Sequence, residues 1–297
     1  MRKFMTVALG LVLLTGCEGA ENNGTLEAGA ERVRAIDGMT QVYVPAGTFE
    51  MGSAEIEQPT PFDDSVHKVS LDSFWIDMTE VTVQQYEAFV AATGHKTIAE
   101  YQGSSGTFIN GDFAETAGAY WKHPNGPETT AEPNHPVVQM AWFDADAYCK
   151  WAGGSLPTEA QWEYAARGPE LRTFPWGNTY DPANLNACEE SCATQWKTPG
   201  YDDGFAETAP VGTYPAGKSW VGALDMAGNA WEWVNDWQGD YGKDPQTNPT
   251  GPETGEKRVL RGGGWISGEA SAWSAFRGGN PPYSRGTPDG FRCVSVE

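Results

Sequence analysis

The chain has 297 residues, with 40 Asp and Glu against 19 Lys and Arg and a formal net charge of −21 at neutral pH. Such a field repels polyanions, which makes nucleic acid and anionic lipid surfaces poor candidate partners, and it favours cations without giving them a specific site. The length suits one large domain, and 36 Gly with 20 Pro predict a chain broken into many short pieces.

Arg2 and Lys3 precede an apolar run over residues 4–14, too short to stay in a bilayer as a spanning helix. Leu14-Thr15-Gly16-Cys17 follows and resembles a bacterial lipobox, which predicts a signal peptide over residues 1–16 and acylation of Cys17. No second apolar run reaches spanning length, so membrane attachment would rest on lipid alone. The expected place is the bacterial envelope. Glu18 is not the Asp that favours inner-membrane retention, so the outer membrane is the default. Residues 17–38 are small, polar and acidic and read as a flexible tether, with the domain running over 39–297.

Short β-rich pieces are expected at residues 41–44, 66–71 and 259–260. Val83, Tyr86, Phe89 and Val90 give one helical face after Thr82, with Gly94 as the stop. Residues 96–130 form the longest irregular stretch; His123 within it reads as a surface loop residue rather than a ligand or base. Trp142, Ala145, Cys149 and Ala152 make a second helical face, and Thr158 with Gln161 fits a capping box for a third. The sum is a loop-rich α+β chain without internal repeats.

With Cys17 lipidated, four cysteines remain, an even count that suits disulfides in an oxidising compartment. Cys188 and Cys192 are close enough to pair locally. Cys149 and Cys293 would then close a long loop, worth about 4 to 5 kcal/mol in the chain-entropy model. Zinc at Cys188 and Cys192 would need two further soft ligands, and no His lies near in sequence.

The most informative segment is Leu224-Asp225-Met226-Ala227-Gly228-Asn229-Ala230-Trp231-Glu232-Trp233, which crowds oxygen donors and indoles around one turn. Oxygen donors gathered by a tight turn suit calcium, although short acidic turns are more often simply solvated. Around it stand Pro45-Ala46-Gly47-Thr48-Phe49-Glu50-Met51-Gly52-Ser53, Leu156-Pro157-Thr158-Glu159-Ala160-Gln161-Trp162-Glu163-Tyr164, Pro175-Trp176-Gly177-Asn178, Arg261-Gly262-Gly263-Gly264-Trp265 and Gly290-Phe291-Arg292-Cys293. In this order the blocks closely resemble the formylglycine-generating enzyme, or sulfatase-modifying factor, family from about Met39 to the C-terminus.

The resemblance implies a variant of the C-type-lectin fold, a structural Cys149–Cys293 disulfide and two structural calcium ions. The first calcium would take the side chains of Asn184 and Asp203 with the carbonyls of Leu185 and Phe205. The second would take Asp225 and Glu232 with the carbonyls of Gly228 and Ala230. Oxidases of the family hold Cu(I) with two cysteine thiolates just after the Gly-Gly-Ser-Trp-like block. Here Ser267 and Ala272 occupy those two positions, and Gly264 replaces the active-site serine. A hydroxyl and a methyl do not replace thiolates toward Cu(I), so no copper is expected and no copper-dependent formylglycine formation.

Three readings follow. One is a binding or accessory module whose old substrate groove, near Trp231, Trp265 and Trp273, holds a peptide, protein or small-molecule ligand. Another is an oxidoreductase of different chemistry, similar to the pyoverdine-maturation relatives that lack the cysteine pair. The sulfoxide-synthase relatives draw their iron ligands from a helical bundle that has no counterpart in this sequence. The last is a structural, lectin-like envelope protein.

Overall fold

The computed structural model describes residues 26–53, 65–109, 111–190, 192 and 197–296. Cys17 and the apolar run before it lie outside the described residues. Thirteen short strands and four helices are present among those described: β1 (Glu31–Val33), β2 (Thr40–Val44), β3 (Gly47–Met51), β4 (His67–Leu71), β5 (Phe74–Asp77), α1 (Val83–Thr93), α2 (Ile98–Gln102), β6 (Ser104–Ile109), β7 (Asp112–Ala117), α3 (Trp142–Trp151), α4 (Glu159–Arg167), β8 (Trp231–Trp237), β9 (Gln246–Thr247), β10 (Arg258–Arg261), β11 (Gly278–Asn280), β12 (Asp289–Gly290) and β13 (Val294–Ser295).

Two four-stranded sheets run in the orders β1-β2-β5-β13 and β11-β10-β8-β12, beside a three-stranded sheet β3-β4-β9 and the hairpin β6-β7. Most pairs are antiparallel; β12 on β8 and β9 on β4 are parallel. This is the few-helix, short-strand α+β architecture expected.

Local chemistry explains the helices. Thr82 and Thr158 close capping boxes with Gln85 and Gln161, and Gly94 ends α1 at φ 70°, a left-handed position glycine takes without strain. The stretch expected to be irregular contains α2 and the β6-β7 hairpin instead. Thr97 and Glu100 form a capping box for α2, and Gly111, at φ 86°, leads into β7 at the hairpin turn. The Gly-, Ser- and Thr-rich strands carry little apolar alternation, which hid them. Likewise Glu31–Val33, inside the expected tether, pairs with β2, and Arg34 locks the segment to Asp37 at 2.6 Å and Asp77 at 2.8 Å. Anchoring here is ionic, so hydrophobic periodicity gave no warning.

Apolar burial divides between two main clusters. One packs strands β2 to β5 against α4 around Phe49, Phe74, Ile76 and Trp162; the other packs α1 and α3 around Tyr86, Phe89, Trp121, Tyr148, Trp233 and Phe291. Both disulfides form, Cys149–Cys293 bridging 144 residues and Cys188–Cys192 closing a local loop. The long bridge ties α3 to the segment before β13, so the C-terminal strand is held covalently against the second cluster. His123 is a loop residue, its Nδ1 2.5 Å from the Thr129 carbonyl and its ring against Tyr120.

Candidate functional site

The loop after β10 carries the two positions where copper-binding cysteines would stand. Gly263 turns it at φ 73°, where a Cβ would come within 2.9 Å of the Ser271 carbonyl. Ser267 is tied inward: its amide donates to the Gly264 carbonyl at 2.8 Å and its hydroxyl accepts from the Gly264 amide at 3.2 Å. Ala272 ends a one-turn 3-10 helix, buried in an apolar cluster with Phe174, Leu185, Ala187 and Ala227. A Cβ on Gly264 would lie 3.2 Å from Trp231, so the indole crowds the space a serine side chain would use. The loop is thus built without a soft ligand, and a methyl faces its apolar packing.

Beside this loop opens a cavity of about 360 Å³. Phe108 and Phe113 from the hairpin, Trp231 from β8, Ile266 from the loop, and Arg285 and Asp289 from the C-terminal segment line it. Of the three tryptophans expected in the groove, only Trp231 lines this cavity. Trp265 is buried, its Nε1 facing the Thr287 carbonyl at 3.5 Å, and Trp273 packs edge-on to Phe174. Indoles adjacent in sequence diverge because the loop bends sharply between them.

Asn184 and Leu185 stand at the end of a 3-10 turn, and Asp203 and Phe205 lie on a neighbouring loop. Asp203 Oδ1 accepts from the Phe205 amide at 2.9 Å, while Oδ2 is buried with no hydrogen-bond partner. Burial, reinforced by the nearby Glu189 charge, raises the Asp203 carboxyl to about 6. Carboxylate oxygens of Glu189, Asp202 and Asp203 lie within 4.8 Å of one another. Carboxylate oxygens gathered so close together suit a hard cation. Glu189 and Asp202 were missing from the sequence-based ligand set because family correspondence alone chose it.

The Asp225 to Glu232 turn is held rigidly. Asp225 and Asn229 adopt φ 55° and 60°, and Gly228 approaches Asn186 so closely that a Cβ would sit 2.2 Å from its carbonyl. Asn229 Oδ1 accepts from the Ala209 amide at 2.8 Å. Glu232 is completely buried, and both its oxygens serve Arg292 at 2.7 Å, with Trp162 Nε1 donating at 2.8 Å. Although burial alone would lower it, the carboxylates of Glu232, Glu80 and Asp225 hold the Arg292 guanidinium firmly charged.

Glu80, a residue far away in sequence, completes this cluster. Its Oε2 is buried without a partner in good geometry, its Oε1 accepts from the Ala230 amide at 3.3 Å, and its carboxyl lies against that of Asp225. Burial first, then repulsion from Asp225, pushes the Glu80 carboxyl well above the ordinary range, against the pull of Arg292. Burial raises Asp225 too, against an amide bond from Gly212. Three carboxylates share one guanidinium, and the excess charge calls for a cation or a proton between Glu80 and Asp225. Glu232 contributes to that field while its own oxygens stay with Arg292.

Comparison with known proteins identifies the family and the fold. The sulfatase-modifying factor enzyme 1-like domain matches residues 27–296, a start that includes β1. The formylglycine-generating enzyme of Streptomyces coelicolor is 40% identical over 295 residues, covering 90% of this chain and 91% of that protein. The inactive C-alpha-formylglycine-generating enzyme 2 of Bos taurus is 33% identical over 284 residues, covering 86% and 88%. The structure of PvdO from Pseudomonas aeruginosa matches with a TM-score of 0.70 at 27% identity, over 91% of this chain and 99% of that one. The chain belongs to the sulfatase-modifying factor, or formylglycine-generating enzyme-like, family.

Proposed function

We propose that this chain is a non-copper member of the family that binds a peptide or small ligand in the groove beside the Gly264 to Ala272 loop. The observation that carries the reading is the presence of Ser267 and Ala272 at the two positions matched to cysteines, next to a cavity walled by Trp231, Phe108 and Phe113. Cu(I) chemistry needs soft ligands, and a hydroxyl plus a buried methyl supply none. Concave, mostly apolar cavities with a few polar groups are the usual form of small-ligand sites. The Leu14-Thr15-Gly16-Cys17 sequence supports a lipid-anchored place in the envelope.

Calcium would be structural in this reading. Asn184 and Asp203, joined by Glu189 and Asp202, would hold one ion; Glu80 and Asp225 with the carbonyls of Gly228 and Ala230 would hold the other. Neutralising the buried carboxylates of Glu80 and Asp225 would fix the turn that presents Trp231 to the groove.

Competition against a chromogenic Cu(I) chelator tests the reading. The native protein is expected to leave the chelator complex intact. The double variant Ser267→Cys with Ala272→Cys is expected to withdraw Cu(I) if the positions correspond. Stoichiometric Cu(I) capture by the native protein would overturn the assignment.

A further inference from the structure

Asp289 is the one acidic residue in the lining of the Trp231 cavity. It opens β12 and pairs with Trp231 across the parallel ladder, so its position is fixed by backbone bonds on both sides. Only 6% of the residue is exposed, and its carboxylate accepts no hydrogen bond and joins no ion pair among the described residues. Burial alone, with no compensating partner, raises the carboxyl to about 7. Arg285 lines the same cavity; its Nη2 donates to Glu115 at 2.8 Å and to the Ser104 carbonyl at 2.9 Å, its Nε is buried without an acceptor, and its ion pair is with Glu115 and not with Asp289. A buried carboxylate without a partner is costly unless something arrives to pair with it.

The remaining lining narrows what that is. Phe108, Phe113 and Trp231 give aromatic surface, and Asn280 and Ser284 add neutral polar groups. Aromatic faces around a carboxylate favour an organic cation, through ring quadrupole attraction added to the ion pair. A single carboxylate is too few donors for a divalent metal. The chain's net charge of −21 concentrates cations near its surface.

We propose that this cavity binds a primary ammonium group on an alkyl chain, with Asp289 as its counter-ion and Trp231 beside it. The assignment rests on the groove reading above and gives that groove a ligand class. Two sources share this chemistry, the side chain of a lysine-bearing peptide and a free alkylamine.

The test is titration of the intact folded domain at pH 8.5, where the carboxylate is ionised and the amine still protonated, read by tryptophan fluorescence and calorimetry. The probes are Nα-acetyl-lysine methylamide, n-butylamine, and their neutral counterparts Nα-acetyl-norleucine methylamide and n-butanol. An ammonium probe is expected to bind at least about tenfold more tightly than its neutral counterpart, and Asp289→Asn is expected to abolish the difference. Because Asp289 has no partner to lose, Asp289→Asn should melt no lower than the native domain, which separates lost recognition from lost folding. Preference for the lysine probe assigns a peptide; preference for butylamine assigns a free amine. Equal binding of ammonium and neutral counterpart, or unchanged binding by Asp289→Asn, overturns the ammonium assignment while leaving a groove that binds ligands. Absence of binding by any of the four probes overturns the assignment as well, and the Cu(I) competition then decides the groove reading separately.

Discussion

Removing Glu232 should cost far more than a lost calcium ligand, because the carboxylate belongs first to Arg292. Both residues are fully buried, and the guanidinium donates to Glu232 through Nε and Nη2, each at 2.7 Å. In Glu232→Ala the guanidinium keeps only the carbonyls of Asp77, Met78 and Leu224, and Trp162 Nε1 loses its acceptor. Orphaning a buried charge costs about 3 to 5 kcal/mol. Glu80 lies close enough to interact with Arg292, so partial rescue places the cost toward the lower end. At about 2 to 4 °C per kcal/mol for a domain of this size, a cost near the lower end, about 3 kcal/mol, should lower the melting temperature by about 6 to 12 °C. The assay is a thermal melt followed by near-UV circular dichroism, run with excess calcium and again with chelator. The loss should appear under both conditions, because it comes from the ion pair. A variant that melts within 2 °C of the native protein in chelator would refute the argument.

Calcium itself should stabilise the native protein by about 2.7 kcal/mol at a hundredfold excess over Kd, so chelation should lower its melting temperature. Asp203→Asn and Glu80→Gln should each remove part of that response, and a native protein indifferent to chelator would contradict both cation sites. Asp236 gives a pH prediction: burial, with the Glu159 charge beside it, raises its carboxyl to about 8. A carboxyl raised on folding stabilises the native state at low pH, and that contribution is lost as pH rises from the ordinary carboxylate range through about 8. Urea midpoints of chelator-treated protein should show a shallower decline toward pH 9 in Asp236→Asn than in the native domain; parallel profiles would count against it. Cys17→Ser should release the protein from the membrane fraction or leave the precursor unprocessed, and unchanged mass and membrane association would rule out the lipobox.

Local chemistry made much of the fold legible. Thr82, Gly94, Thr158 and Gln161 announce the ends of α1 and α4 because caps act within four residues. The Cys149–Cys293 pairing was accessible from cysteine number and family correspondence. What escaped depends on contacts distant in sequence. Glu80 lies about 150 residues from the Ala230 amide it faces, and nothing around it marks a ligand. The commitment of Glu232 to Arg292 spans 60 residues, so a donor that looked free in the turn is already engaged. Asp289 carries no signal in sequence, and only its burial without a partner marks it. Trp265 and Trp273 misled in the other direction, since an indole near a groove in sequence is as readily packed beneath it.

The central claim is that this family member has lost the oxidase chemistry and kept the groove. Its most direct test is incubation of the native protein with Cu(I), oxygen, reductant and a sulfatase-type cysteine peptide, followed by mass spectrometry for the aldehyde product. The peptide should be recovered with its cysteine unconverted, because Ser267 and Ala272 provide no thiolate pair. Copper-dependent appearance of formylglycine in the peptide would contradict the claim.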